Sequence, residues 1–190
     1  MKGIIFLLMF LSIICWSCSN QYTYITNKND IHYSRLFGNL KEDEEAFISI
    51  ENLEEKFYLY MPCDFSYQKQ VVFYENKVSV DLGETEVFTI TKVFQNQNIT
   101  EYEIANEYAN GNLTKKKIDN KFLFRFQMND VDYLFLTISI NDLNKYPLII
   151  HNCKEKEQEM EFDKLDLEEM WNKKIIFKSS EFSELFCFSV

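Results

Sequence analysis

The chain has 190 residues and a formal net charge of -10; 46% of its residues are hydrophobic, with 18 Phe and 11 Tyr. This hydrophobic content excludes a wholly disordered chain. The acidic balance excludes nucleic acid as a partner, because a phosphate backbone is bound by clustered cations. We interpret the excess carboxylates as solubilising groups, with complementarity to a basic partner as the alternative.

The N-terminal segment has the pattern of an export signal. Lys2 precedes an apolar run at 4–16, which is shorter than the about twenty residues that span a membrane but has the length of a signal-peptide core. We therefore predict a signal peptide at 1–17 and a polar, flexible tether at 18–45. A single domain is predicted at 46–190.

The end of the apolar run reads Cys15-Trp16-Ser17-Cys18-Ser19. A small residue directly before a cysteine at this place resembles the bacterial lipobox, although that family favours Leu where Cys15 stands and a small residue where Trp16 stands. The resemblance implies a lipoprotein whose mature N-terminus is an acylated Cys18, and Ser19 implies passage to the outer membrane. The alternatives are secretion after ordinary signal-peptidase cleavage and an uncleaved anchor.

Three cysteines remain in the predicted domain: Cys63, Cys153 and Cys187. An oxidising compartment permits one disulfide and leaves one thiol free. Spacing alone does not choose the pair, and buried unpaired thiols fit the sequence equally well.

Two-residue alternation of apolar and polar residues dominates the chain from residue 46 onward and predicts strands. Glu75–Asn76 and Asn129–Asp130 are predicted as hairpin turns. The predicted strands cover 57–61, 71–73, 78–82, 87–91, 122–128, 131–140 and 148–150. The alternating aromatic residues expected in the core are Phe57, Phe73, Phe88, Phe122, Phe124, Phe126 and Phe135.

Two segments depart from this period. Thr100-x-x-Glu103 matches a capping box and predicts a short helix that ends at Asn110–Gly111. A second helix is predicted at 155–172, and strand character resumes at 175–177 and in the tail at 182–190. The sequence thus predicts an α+β fold, an antiparallel β-sheet with two helices packed on it as an α/β sandwich.

The order of these predicted elements resembles the PsbP/Mog1-like α/β sandwich. The resemblance rests on a strand that ends at Pro62, the capped segment 100–103, the hairpin 121–140 and the elements over 148–178. That family has no common catalytic residues, and its members act mostly in binding or assembly. The resemblance therefore implies a non-enzymatic role.

Residues that carry chemistry are sparse. The only histidines are His32 and His151, and His151 precedes Cys153 by two residues, which gives a poorly directed thiol–imidazole pair. Asp130 and Asp132 offer oxygens to a calcium ion, but turn formation explains them equally. We expect no cofactor and no metal site. A tyrosine-rich sheet face formed by Tyr58, Tyr60, Tyr67 and Tyr74 is the recognition surface that the sequence indicates.

These observations leave three functional hypotheses. The first is a cell-envelope lipoprotein that acts as a non-enzymatic binding or accessory factor with a protein partner. The second is an immunity-type inhibitor that binds a basic toxin, because an acidic surface speeds association with a cation-rich protein. The third is an envelope hydrolase whose site would be a buried carboxylate cluster with raised pKa values.

Overall fold

The computed structural model of the protein describes residues 22–25, 44–63, 68–151 and 160–173. Several features predicted from the sequence lie outside these residues. They are the signal peptide at 1–17, Cys18, His32, Tyr67, Cys153, Cys187 and the segments 175–177 and 182–190.

The described residues form twelve strands, one 3₁₀ turn and one short α-helix. The strands are β1 Tyr22–Ile25, β2 Glu45–Ser49, β3 Glu51–Leu53, β4 Lys56–Met61, β5 Gln70–Tyr74, β6 Lys77–Asp81, β7 Thr85–Asn96, β8 Ile99–Ala105, β9 Asn110–Ile118, β10 Lys121–Met128, β11 Val131–Ser139 and β12 Leu148–His151. The 3₁₀ turn η1 covers Ile140–Lys145, and the helix α1 covers Leu167–Asn172.

Eight strands close into a barrel in the order β10-β11-β2-β5-β6-β7-β8-β9, and all its neighbouring strands pair antiparallel. The alternation in the sequence explains the interior, because residues two apart in a strand share a face. Phe124 of β10 lies opposite Phe135 of β11, and their rings stack with centroids 5.9 Å apart. An eight-stranded barrel is narrow enough for such side chains to fill it.

A second apolar core lies on the outside of the barrel wall. Leu123, Leu136 and Ile48 face outward and pack with Leu59 and Leu148 of a small four-stranded sheet. That sheet has the order β1-β12-β4-β3, in which β12 and β4 run parallel. The wall formed by β10, β11 and β2 is therefore buried on both faces, whereas the β7 side of the barrel is largely exposed.

The predicted α/β sandwich is wrong, because the described residues are mostly strand and close into a barrel. The helix expected after Thr100 is the main cause of this error. Residues 99–105 form strand β8, in which Tyr102 and Ile104 are buried. Pairing with β7 and β9 on both sides outweighs the local capping pattern.

Other expectations agree with the structure. The hairpins at Glu75–Asn76 and Asn129–Asp130 form, and the first residue of each turn has a left-handed backbone conformation. The alternating phenylalanines contribute to the two apolar cores. Of the helix predicted at 155–172, the described part is helical only over Leu167–Asn172.

Residues Tyr22–Ile25, which fall within the predicted tether, pair with β12 as strand β1. This segment begins four residues after Cys18. Within the part of the chain that the structure describes, no helix has the length and apolar content needed to cross a membrane.

Candidate functional site

The candidate site is an open cleft at one end of the barrel, which we call the mouth. The connections β6–β7, β8–β9 and β10–β11 meet there, because successive antiparallel strands return to the same end. The cleft has a volume of about 840 Å³. Its lining residues are Leu82, Gly83, Glu84, Glu86, Val87, Asn106, Glu107, Tyr108, Ala109, Phe126, Met128, Asn129, Val131 and Tyr133.

Apolar and aromatic side chains form much of the mouth. Phe126 and Met128 belong to the core inside the barrel and provide buried apolar surface at the base of the cleft. Around it, Val131 is 44% exposed, Tyr133 47% and Tyr108 84%. Large side chains of this kind, clustered at the opening of a barrel, are typical of a binding surface.

The polar groups of the mouth are carboxylates and amides. Glu84, Glu86 and Glu107 are exposed, and the lining contains no Lys, Arg or His. The Glu86 carboxylate accepts a hydrogen bond of 3.4 Å from the Asn106 side chain. A hydrogen bond to Glu107 raises the pKa of Tyr108. The mouth therefore combines apolar surface with negative charge.

The opposite end of the barrel is closed by Lys115 and aromatic rings. The Lys115 ammonium lies 5.1 Å from the ring centroid of Phe47 and 5.3 Å from that of Phe73. It also forms an ion pair with Glu45 at 3.1 Å. The cation–π contacts and the ion pair compensate the partial burial of the ammonium, which allows this lysine to occupy the barrel end.

A charged cluster fixes α1 on the outer wall. Arg125 of β10 donates to both carboxylate oxygens of Asp132, from Nε at 2.9 Å and from Nη2 at 2.6 Å. It also lies 3.4 Å from the Glu168 carboxylate and 5.7 Å from the Trp171 ring centroid. The Asp132 carboxylate, which the sequence offers as a calcium ligand, thus has a structural partner. Among the described residues, no group of His, Cys, Asp and Glu side chains could hold a metal ion.

Lys116 holds the C-terminal end of α1 against the wall. Its side chain is on the outer face of β9, the residue is 4% exposed, and burial lowers its pKa. The ammonium donates to the backbone carbonyl oxygens of Met170, Trp171 and Lys173, at 3.4 Å for Met170 and 3.0 Å for Lys173. The last carbonyls of a helix lack partners within the helix, so this lysine satisfies them.

We expect Lys116→Met to lower the free energy of unfolding by about 1–3 kcal/mol, because it leaves partly buried carbonyl oxygens without a donor. Urea unfolding of the variant and the wild type measures the change. Lys117→Met is the matched control, since Lys117 is exposed and its replacement should change stability by less than about 0.5 kcal/mol. Equal losses in the two variants would contradict the role of Lys116.

A second cleft of about 360 Å³ lies beside β3 and contains Glu51, Asn52 and Asp163. Burial raises the pKa of Glu51, and Lys69 partly opposes this shift. Asp163 accepts from the Glu54 backbone N–H at 2.7 Å and donates its own N–H to the Asn52 carbonyl oxygen at 2.8 Å.

Asp132 and Glu51 affect the pH dependence of stability in opposite directions. The hydrogen bonds from Arg125 lower the pKa of Asp132, so its contribution is present above the unfolded pKa and is lost as pH falls through the lower folded pKa. Glu51 has a raised folded pKa, so its ionisation destabilises the fold as pH rises above its ordinary value of 4.5. Asp132→Asn should therefore lower stability at pH 7 by about 1 kcal/mol or less, as expected for a partly exposed pair. Glu51→Gln should raise stability at pH 7.

Thermal unfolding between pH 3 and pH 7 tests both substitutions. The Glu51→Gln variant should approach the wild type at the acidic end, where the Glu51 carboxyl is protonated in both the folded and unfolded states. The effect of Asp132→Asn should shrink as pH falls toward the lowered folded pKa of Asp132. A Glu51→Gln variant that is less stable than the wild type at pH 7 would show that the Glu51 carboxylate stabilises the fold. Glu55→Gln, at an exposed turn position, is the control.

His151 and the tyrosines occupy structural positions. The buried His151 ring nitrogen Nδ1 lies 3.1 Å from the Tyr60 hydroxyl, and the Tyr60 ring packs against Phe162. Tyr60 and Tyr58 belong to β4 of the small sheet, whereas Tyr74 belongs to β5 of the barrel. The expected tyrosine-rich face is therefore divided between two sheets. Cys63 is disulfide-bonded, and it is the only cysteine among the described residues.

Sequence reasoning missed the mouth residues. The capping-box pattern predicts a helix across Tyr108, and the sequence alone does not distinguish Glu84, Glu86 and Glu107 from the other surface carboxylates. The sequence does contain a signal for these residues. Each of the three connections at the mouth contains, or lies next to, a carboxylate or a large apolar residue. Their proximity follows from barrel closure, which the sequence did not reveal.

No protein family, curated protein or solved structure matches this chain.

Proposed function

We propose that this chain is a cell-envelope lipoprotein that acts as a non-enzymatic binding or accessory factor and captures a protein partner through the mouth of its barrel. The observation that carries this proposal is the open 840 Å³ cleft, in which exposed Tyr108, Val131 and Tyr133 surround the apolar base. Exposed aromatic residues in a concave surface are typical of protein-binding sites.

The location follows from the N-terminal residues. The lipobox-like Cys15–Cys18 segment places an acyl group on Cys18, and Ser19 directs the protein to the outer membrane rather than the inner; secretion is the alternative. The disulfide at Cys63 supports export, because disulfides persist in oxidising compartments. Strand β1 of the small sheet begins at Tyr22, four residues after Cys18 in the sequence.

Mass spectrometry of the native N-terminus, after growth with labelled palmitate, tests the location. The proposal predicts a mature chain that starts at an acylated Cys18. A chain that begins elsewhere, or one without an acyl group, contradicts the lipoprotein assignment and leaves the binding proposal to be judged separately.

Chemical crosslinking in the native envelope followed by affinity capture tests the binding role. We expect the wild type to yield a specific protein adduct and the Val131→Ser/Tyr133→Ser variant to lose most of it. The control variant Val93→Ser/Phe94→Ser removes similarly exposed apolar residues from the end of β7 that is far from the mouth. Loss of the adduct only in this control would place binding elsewhere.

The acidic lining favours the immunity-type inhibitor as a second candidate. Glu84, Glu86 and Glu107 line the mouth without a cation, and such a surface increases the association rate of a basic toxin. Capture of one tight partner that is toxic to cells lacking this protein would support the inhibitor role. Capture of an envelope component that is harmless to such cells supports the accessory role instead.

A further inference from the structure

We infer that the mouth binds a basic amphipathic segment of a protein, in which Lys or Arg side chains alternate with apolar ones. The inference rests on the proposed function because it concerns the same surface. It adds the chemistry of the partner, and that chemistry is read from three properties of the cleft.

The first property is uncompensated negative charge. Three carboxylates elsewhere on the barrel have cationic partners: Glu45 pairs with Lys115, Glu103 with Lys92 and Asp132 with Arg125. Within the described part of the chain, Glu84, Glu86 and Glu107 form no such ion pair, although all three line one cleft. A cationic partner would complement this charge, whereas nucleic acid and anionic lipid would be repelled.

The second property is aromatic surface beside that charge. Tyr108 adjoins Glu107 and is 84% exposed, and Tyr133 lies on the same cleft. A Lys ammonium or Arg guanidinium over the face of a tyrosine gains a cation–π contact in addition to the carboxylate. Tyrosine rings also pack against apolar groups. The mouth is therefore suited to a segment that carries both cationic and apolar side chains.

The third property is shape. The cleft is large enough for several side chains, yet its surrounding residues remain about half exposed. Small-molecule sites bury most of their ligand's surface, which this arrangement does not provide. An extended or hairpin segment of another protein covers such an opening while its backbone stays outside.

Isothermal titration of the mature protein with three short synthetic peptides tests the inference. The first peptide alternates lysine with leucine or valine, the second replaces lysine with glutamate, and the third replaces the apolar residues with serine. We expect measurable binding of the first peptide, weakening with added salt, and at least tenfold weaker binding of the other two.

The Glu84→Gln/Glu86→Gln/Glu107→Gln variant should bind the lysine–apolar peptide about tenfold more weakly, since three favourable charges are removed. The matched control, Glu54→Gln/Glu55→Gln/Glu75→Gln, removes three exposed carboxylates from turns outside the cleft and should retain wild-type affinity. Circular dichroism confirms that both variants are folded.

Absence of binding, equal binding of the glutamate peptide, or an equal effect of the two triple variants would overturn the inference. If the lysine peptide fails but the envelope adduct still depends on Val131 and Tyr133, the mouth binds a partner of different chemistry. Only the inference then fails. If the adduct also fails to depend on those residues, the proposed function fails with it.

Discussion

Reducing the disulfide of Cys63 is expected to lower the free energy of unfolding by about 2–5 kcal/mol. We predict that its partner is Cys153. β4 and β12 run side by side in parallel, with Met61 opposite Ile150. Cys63 follows Met61 by two residues and Cys153 follows Ile150 by three, so each cysteine is close in sequence to one member of a paired position. The long loop that this bond closes makes its effect on the unfolded chain large.

Peptide mapping of the unreduced mature protein checks the pairing. A linked peptide containing Cys63 and Cys153 is expected, and Cys187 should react with an alkylating agent without prior reduction. The Cys187→Ser variant, as control, should keep the wild-type stability. A linked peptide that contains Cys187, or alkylation of Cys63 before reduction, would show that the prediction is wrong.

Gly111→Ala is expected to destabilise the barrel by about 2–3 kcal/mol. Gly111 of β9 lies opposite Met128 of β10. An added Cβ would lie 3.0 Å from Cε and 3.1 Å from Cβ of Met128, and still closer to the carbonyl oxygen of Gln127. A side chain can rotate away, but a backbone oxygen within a paired strand cannot move without disturbing the β9–β10 pairing.

Chemical denaturation of Gly111→Ala and Asn112→Ala tests this reason. Asn112 is the next residue on β9, and its replacement should cost less than about 1 kcal/mol. Because Met128 lines the mouth, Gly111→Ala should also weaken capture of the partner. If Gly111→Ala is as stable as the wild type, strands β9 and β10 can separate locally without cost. That result would contradict the close approach of the two backbones at Gly111.

The sequence predicted the local structure better than the architecture. Alternation identified β4, β10 and β11, because a strand with one face in the core repeats every two residues. Barrel closure depends on pairings such as β11 with β2, in which Ile138 lies opposite Ile48. No local pattern encodes a contact between residues so far apart in the chain.

The misassigned helix shows how a local signal fails. Thr100 and Glu103 have the spacing of a capping box, yet Tyr102 and Ile104 alternate with exposed Glu101 and half-exposed Glu103 side chains in β8. Giving the alternation more weight would have identified the strand. That strand, in turn, places Tyr108 in a connection at the mouth, which is why the candidate site was not predicted.

Site-specific photocrosslinking in the native envelope tests the role of the mouth most directly. A photoreactive phenylalanine is placed at Tyr133, on the cleft, or at Phe94, which is 53% exposed near the opposite end of the barrel. If the mouth is the recognition surface, the Tyr133 position gives a discrete protein adduct after irradiation and the Phe94 position does not. An adduct only from Phe94, or none from either position, would contradict it.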